Sequence, residues 1–107
     1  MYSRIISCTI DPAKVKDFRT ALNNQFLPRI QALPGFLENI ESLDPATGKF
    51  NCVTLWKSAR DVENYDQGLF KEVATAITPL LKGEPSVETL PVENSSVHRV
   101  KAGAATA

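Results

Sequence analysis

One tryptophan, two cysteines and one histidine in 107 residues carry most of the distinctive side-chain chemistry, so their placement bounds what the chain can do. Trp56 lies in the run Asn51-Cys52-Val53-Thr54-Leu55-Trp56-Lys57-Ser58, whose period of two sets Cys52, Thr54 and Trp56 on one face of a strand. A tryptophan is a large ring with an N–H that needs a partner, so it fills a core or an interface, or it walls a ligand pocket. Both readings stay open for Trp56. Cys52 has no histidine near it to lower its pKa, and Cys52 and Cys8 read as small buried residues rather than nucleophiles. Glu38 and Glu41 are three apart on a strand and face opposite ways, so they are no acid and base pair. His98 stands apart from both cysteines, which leaves no metal site, and it is expected as a solvated tail residue.

These residues need elements to hold them. Tyr2 to Ile10 alternates Ile6, Cys8 and Ile10 against Ile5, Ser7 and Thr9, as a two-faced strand does. Asp11-Pro12 starts a helix, in which Val15, Phe18, Leu22, Phe26, Ile30 and Leu33 form one apolar stripe. Pro28 should kink or divide that helix, and Pro34-Gly35 ends it. Arg29, beside the stripe, is expected to snorkel at the surface rather than bind an anion. Phe36 to Leu43 and Phe50 to Lys57 read as a hairpin about the turn Asp44-Pro45-Ala46-Thr47-Gly48. Ser58-Ala59-Arg60-Asp61 resembles a capping box ahead of a second stripe of Val62, Tyr65, Leu69, Val73, Ile77 and Leu80. Gly68 is placed to break this helix and Pro79 to disturb its last turns. Tyr65 belongs to the stripe, with its hydroxyl reaching a cavity as the alternative. Ser86 to Val92 reads as a fourth strand, with Pro91 implying that it ends at, or runs along, a sheet edge.

The order β-α-β-β-α-β is the ferredoxin-like α+β arrangement, an antiparallel sheet with both helices on one face. The alternation puts Ile6, Cys8, Ile10, Val53 and Leu55 toward the helices, leaving Ser7, Thr9, Cys52, Thr54 and Trp56 on the open face. A second copy of the chain would cover that face, so a homodimer is expected.

Twelve basic residues balance twelve acidic ones, so a nucleic-acid or anionic-membrane partner is not expected. Two cysteines make no disulfide framework, and no apolar run has the length of a signal peptide or spanning helix. A reduced, cytoplasmic protein follows as the expectation. Residues 1–93 are read as the domain and 94–107 as a C-terminal arm or tail, with Val97 to Val100 as a short strand or arm on a partner subunit.

Leu55-Trp56-Lys57-Ser58, then Val62, Tyr65 and Phe70-Lys71, together with Asp11-Pro12 and Leu33-Pro34-Gly35-Phe36, resemble the antibiotic-biosynthesis monooxygenase-like (ABM) family of the dimeric α/β-barrel superfamily. The resemblance spans residues 2–92. It implies two sheets facing each other across a dimer axis and, in each subunit, a cavity between sheet and helices. The family includes cofactor-independent monooxygenases that oxidise quinols and anthrones, haem-degrading monooxygenases, and many proteins of no known activity. Trp56 matches the tryptophan that projects into the family's pocket. The haem-degrading branch asks for a histidine on the second helix, where this chain has Ala74 or Thr75, and for an asparagine on the first strand, where Arg4 to Thr9 reads RIISCT. The anthrone-oxidising branch has an asparagine four residues before its tryptophan, and Cys52 stands there.

The resemblance therefore implies a monooxygenase that needs no cofactor and oxidises a small hydrophobic aromatic, quinol or anthrone-like. Trp56, Thr54, Cys52, Ser7, Thr9 and Tyr65 are the candidate pocket residues. A non-catalytic dimer that binds a small ligand or serves assembly is the alternative, and another reaction on the same barrel is a third.

Overall fold

The computed structural model describes residues 1–98. Strand β1 (Tyr2–Thr9) opens the chain, and Asp11 then caps the first helical turn: its Oδ1 accepts from Ala13 N at 3.0 Å. The first helical stretch divides into α1 (Val15–Thr20), a π-helical turn (Ala21–Phe26) and α2 (Leu27–Gln31). Pro28 is the cause expected: without an N–H it cannot bond the Asn24 carbonyl, and Leu27 N–H reaches back to Leu22 O instead. Phe18, Leu22, Phe26 and Ile30 are spaced by four, which overshoots an α-helical turn, and the wider π turn keeps all four buried.

Strands β2 (Phe36–Leu43) and β3 (Lys49–Trp56) form the hairpin. Its turn closes with Gly48 N donating to Asp44 O at 2.8 Å. Gly48 has φ +81°, and a Cβ there would lie 1.9 Å from the Ile10 carbonyl oxygen, so glycine is required. Helix α3 (Ala59–Gln67) starts at Ser58, whose Oγ accepts from Asp61 N and donates to Asp61 Oδ2. Gly68, outside helical geometry, separates α3 from α4 (Leu69–Ile77), and a 3-10 turn (Thr78–Leu80) holds Pro79. Strand β4 (Ser86–Pro91) ends the sheet at an exposed edge.

The sheet is antiparallel in the order β2-β3-β1-β4, the ferredoxin-like arrangement. Its register corrects the faces assigned above. Ile6 pairs with Cys52, Cys8 with Phe50 and Arg4 with Thr54, so Phe50, Cys52, Thr54 and Trp56 share the helix side with Ile6, Cys8 and Ile10. Val53 and Leu55 lie on the open face with Ile5, Ile40 and Leu90, and so do Ser7 and Thr9. Trp56 is thus not on the open face but fully enclosed in the core with Phe18, Phe26 and Ile10.

The C-terminal end also differs from expectation. His98 is partly buried rather than fully solvated: its Nε2 lies 2.6 Å from Glu38 Oε1 on the chain's own β2, and its backbone N–H donates to Ser95 Oγ. Val97 and His98 lie in a turn rather than a strand, while Arg99 and Val100 of the expected arm lie outside the described residues. Arg29 pairs with Glu72 at 2.7 Å at the surface. No helix among the described residues is long and apolar enough to cross a membrane.

Candidate functional site

Beneath the helices the core is not closed. A cavity lies between the helix side of the sheet and the helical layer, bounded by β1 (Arg4, Ile6), β2 (Asn39, Glu41), β3 (Phe50, Cys52, Thr54), the first helical stretch (Phe18, Leu22, Leu27, Ile30) and residues of α3 and α4, including Tyr65, Phe70 and Val73. About 30 Å³ is open to the centre of a water-sized sphere, room for roughly two waters. Its wall is mostly apolar, and polar groups converge on it from three strands.

One side is an aromatic stack. Trp56 lies 5.3 Å from Tyr65, ring over ring, and meets Phe36 edge-on at 5.6 Å. Tyr65 leads on to Phe70 at 5.7 Å. Trp56 Nε1 donates to Thr54 Oγ1 at 2.8 Å, which satisfies a buried N–H and fixes the indole. Trp56 sits one layer behind the cavity, with Tyr65 between.

Against this stack stands Arg4, only 3% exposed. Its guanidinium lies 4.0 Å from the centre of the Phe70 ring and 5.0 Å from that of Tyr65, and its Nε donates to Asp66 Oδ1 at 2.6 Å. The aromatic faces and the carboxylate offset the cost of burying the charge. Arg4 Nη2 is buried and, among the described residues, has no hydrogen-bond partner.

The remaining polar groups form a relay along the sheet. Cys52 Sγ donates to Asn39 Oδ1 at 3.0 Å, and Asn39 Nδ2 donates to Glu41 Oε2 at 2.8 Å. Burial, aided by the Glu41 charge and opposed by Arg4, pushes the Cys52 thiol up to about 12, so it stays protonated and is no nucleophile at neutral pH. Burial likewise pushes Tyr65 up to about 12, again against Arg4. Both folded values lie above the ordinary 9.0 and 10.0, so this stabilisation is complete below those values and is lost as pH climbs toward 12. The urea midpoint should hold level from neutral pH to about 9 and fall above it, less steeply in Cys52→Ala. An unchanged alkaline limb in that variant would contradict the assignment.

Of the six residues proposed from sequence, Cys52, Thr54 and Tyr65 line one cavity and Trp56 backs it. Ser7 and Thr9 are on the opposite face of the sheet and do not belong to it. Arg4, Phe70, Asn39 and Glu41 were missed. Arg4 carried a signal: it sits two residues before Ile6 in a run whose same-face neighbours, Ile6, Cys8 and Ile10, are apolar. Ala74 and Thr75 on α4 have no side chain for iron, and no cluster among the described residues could hold a metal ion.

Solved structures share this fold. A monooxygenase of Streptomyces coelicolor from the gene ActVA-Orf6, solved with nanaomycin D, matches at TM-score 0.74 and 17% identity, over 88% of each chain. The chain has the antibiotic biosynthesis monooxygenase fold. A second ABM-fold protein, from Caulobacter crescentus, matches at TM-score 0.72 and 20% identity over 83% of this chain and 86% of its own. A third, from Deinococcus radiodurans, matches at TM-score 0.75 and 12% identity over 89% and 95%. No protein-family model matches the sequence, and no curated protein matches it. At these identities the likeness is one of ABM fold alone.

Proposed function

We propose that the protein is a homodimeric oxygenase that oxidises a small, flat, hydrophobic aromatic of quinol or anthrone type without a cofactor. The observation that carries this reading is the aromatic-walled cavity between sheet and helices, in a fold shared with a monooxygenase solved with a small ligand. Such substrates supply their own electrons. An anthrone loses a CH2 proton to solvent to give a delocalised anion, the anion adds O2 at that carbon, and the peroxide takes a proton back to become a hydroperoxide. Loss of water from the hydroperoxide leaves a ketone, so that CH2 and O2 become C=O and H2O. The protein's share is to hold the ring flat, stabilise charge on its oxygen and exclude water.

The cavity is smaller than such a molecule, so binding must part the layers. The segment suited to this is the joint at Gly68, which ends α3 next to Tyr65 and begins α4 next to Phe70. Homodimerisation is proposed through the open sheet face, where Ile5, Val53 and Leu55 are half-buried and Ile40 and Leu90 are 48% and 44% exposed. A second copy of this face, the same patch turned by a two-fold axis, would cover it.

Oxygen uptake with a dihydroxyanthrone tests the activity. The purified protein, with no added metal or flavin, should consume one O2 per anthrone well above the rate in buffer. Phe70→Trp, which crowds the cavity, should lower that rate by more than about tenfold with the circular dichroism unchanged. Uptake no faster than in buffer would reject the oxygenase reading.

A further inference from the structure

We propose that Arg4 anchors an anionic oxygen of the cavity's ligand, a phenolate or enolate on a flat hydrophobic ring. This rests on the reading of the cavity as an aromatic-binding site and names the chemical class that it takes. A guanidinium has five N–H donors, and a charged group buried with an unmade hydrogen bond is costly. Arg4 is 3% exposed, lines the cavity and has its Nε on Asp66, while Nη2 has no partner among the described residues. Buried polar groups are almost always satisfied, so an unpartnered guanidinium nitrogen on a residue that lines the cavity points to an acceptor brought by the ligand when the layers part.

The surroundings select the acceptor. Phe70 and Tyr65 lie 4.0 and 5.0 Å from the guanidinium, and this apolar setting admits a flat ring better than a hydrated phosphate or carboxylate. Asp66 offsets the Arg4 charge from the α3 side and is itself partly exposed. The other charged group on the wall, Glu41, is an acceptor held by Asn39, and Cys52 and Tyr65 stay neutral. A ligand with an ionised oxygen toward Arg4 and a protonated hydroxyl toward Glu41 satisfies both ends. A quinol that has lost one proton is such a molecule.

The test compares 2-hydroxyanthraquinone with its methyl ether, two coloured rings of nearly equal shape that O2 does not consume. The wild-type protein should bind the hydroxyl compound roughly 10- to 100-fold more tightly. The bound compound should show the absorption of its ionised form at a pH where the free compound is still neutral. Arg4→Gln should remove both the preference and the spectral shift, so that the two compounds bind with similar affinity. The wild-type comparison stands by itself if that variant fails to fold. Equal binding of the two compounds, or a bound hydroxyl that stays neutral, would overturn the anchor and leave the aromatic site standing. Binding of neither would overturn both.

Discussion

Trp56→Ala should cost about 3–5 kcal/mol of folding free energy, a large part of what a domain of this size has to lose. The indole is fully enclosed, stacked on Tyr65 and met edge-on by Phe36, so no exposed surface softens the truncation. Thr54 Oγ1, itself buried, would lose its donor as well. Trp56→Phe keeps a ring in the stack and removes only the N–H and part of the volume, so its cost should be closer to 1–2 kcal/mol, roughly that of one buried hydrogen bond with a small void. Urea unfolding followed by circular dichroism separates the two. An alanine variant within about 1 kcal/mol of wild type would mean that the ring is not packed where the core places it.

Leu55→Asp should turn dimers into monomers with the fold intact. Leu55 lies on the proposed interface, paired with Ser3 on β1 and with Glu38 on β2. A two-fold contact would bury the new carboxylate twice, and each unpaired buried charge costs several kcal/mol. In a monomer the same change costs less, since the half-buried side chain points away from the core and the new carboxylate only faces Glu38 across the strands. Sedimentation at micromolar concentration should show a dimer for wild type and a monomer for the variant, with matching circular dichroism. A wild-type monomer would remove the dimer from the proposal.

The order of elements was readable because each signal was local. Asp11-Pro12, the turn at Asp44 to Gly48 and Ser58 with Asp61 set starts and reversals by chemistry within a few residues. The helix stripes worked for the same reason. The faces of β3 were misread because both are apolar: Val53 and Leu55 look more like core than Cys52 and Thr54, and only pairing with β1 decides between them. Phe50 and Trp56, the two large aromatics of β3, have the parity that goes inward, and their size was the better guide. Arg4 was passed over because a charge in a strand is usually solvated. Its burial depends on Asp66 and Phe70, more than sixty residues away, a pairing that no spacing rule shows.

Whether a flat aromatic is held on the helix side of the sheet is decided by titrating the fluorescence of Trp56 with a dihydroxyanthrone in the absence of oxygen. The chain has one tryptophan, stacked on a tyrosine that lines the cavity, so a bound ring lies one layer from the fluorophore. Quenching should saturate at one ligand per chain and weaken when Val73→Phe narrows the cavity. Emission that does not change, or that falls linearly without saturating, would contradict it.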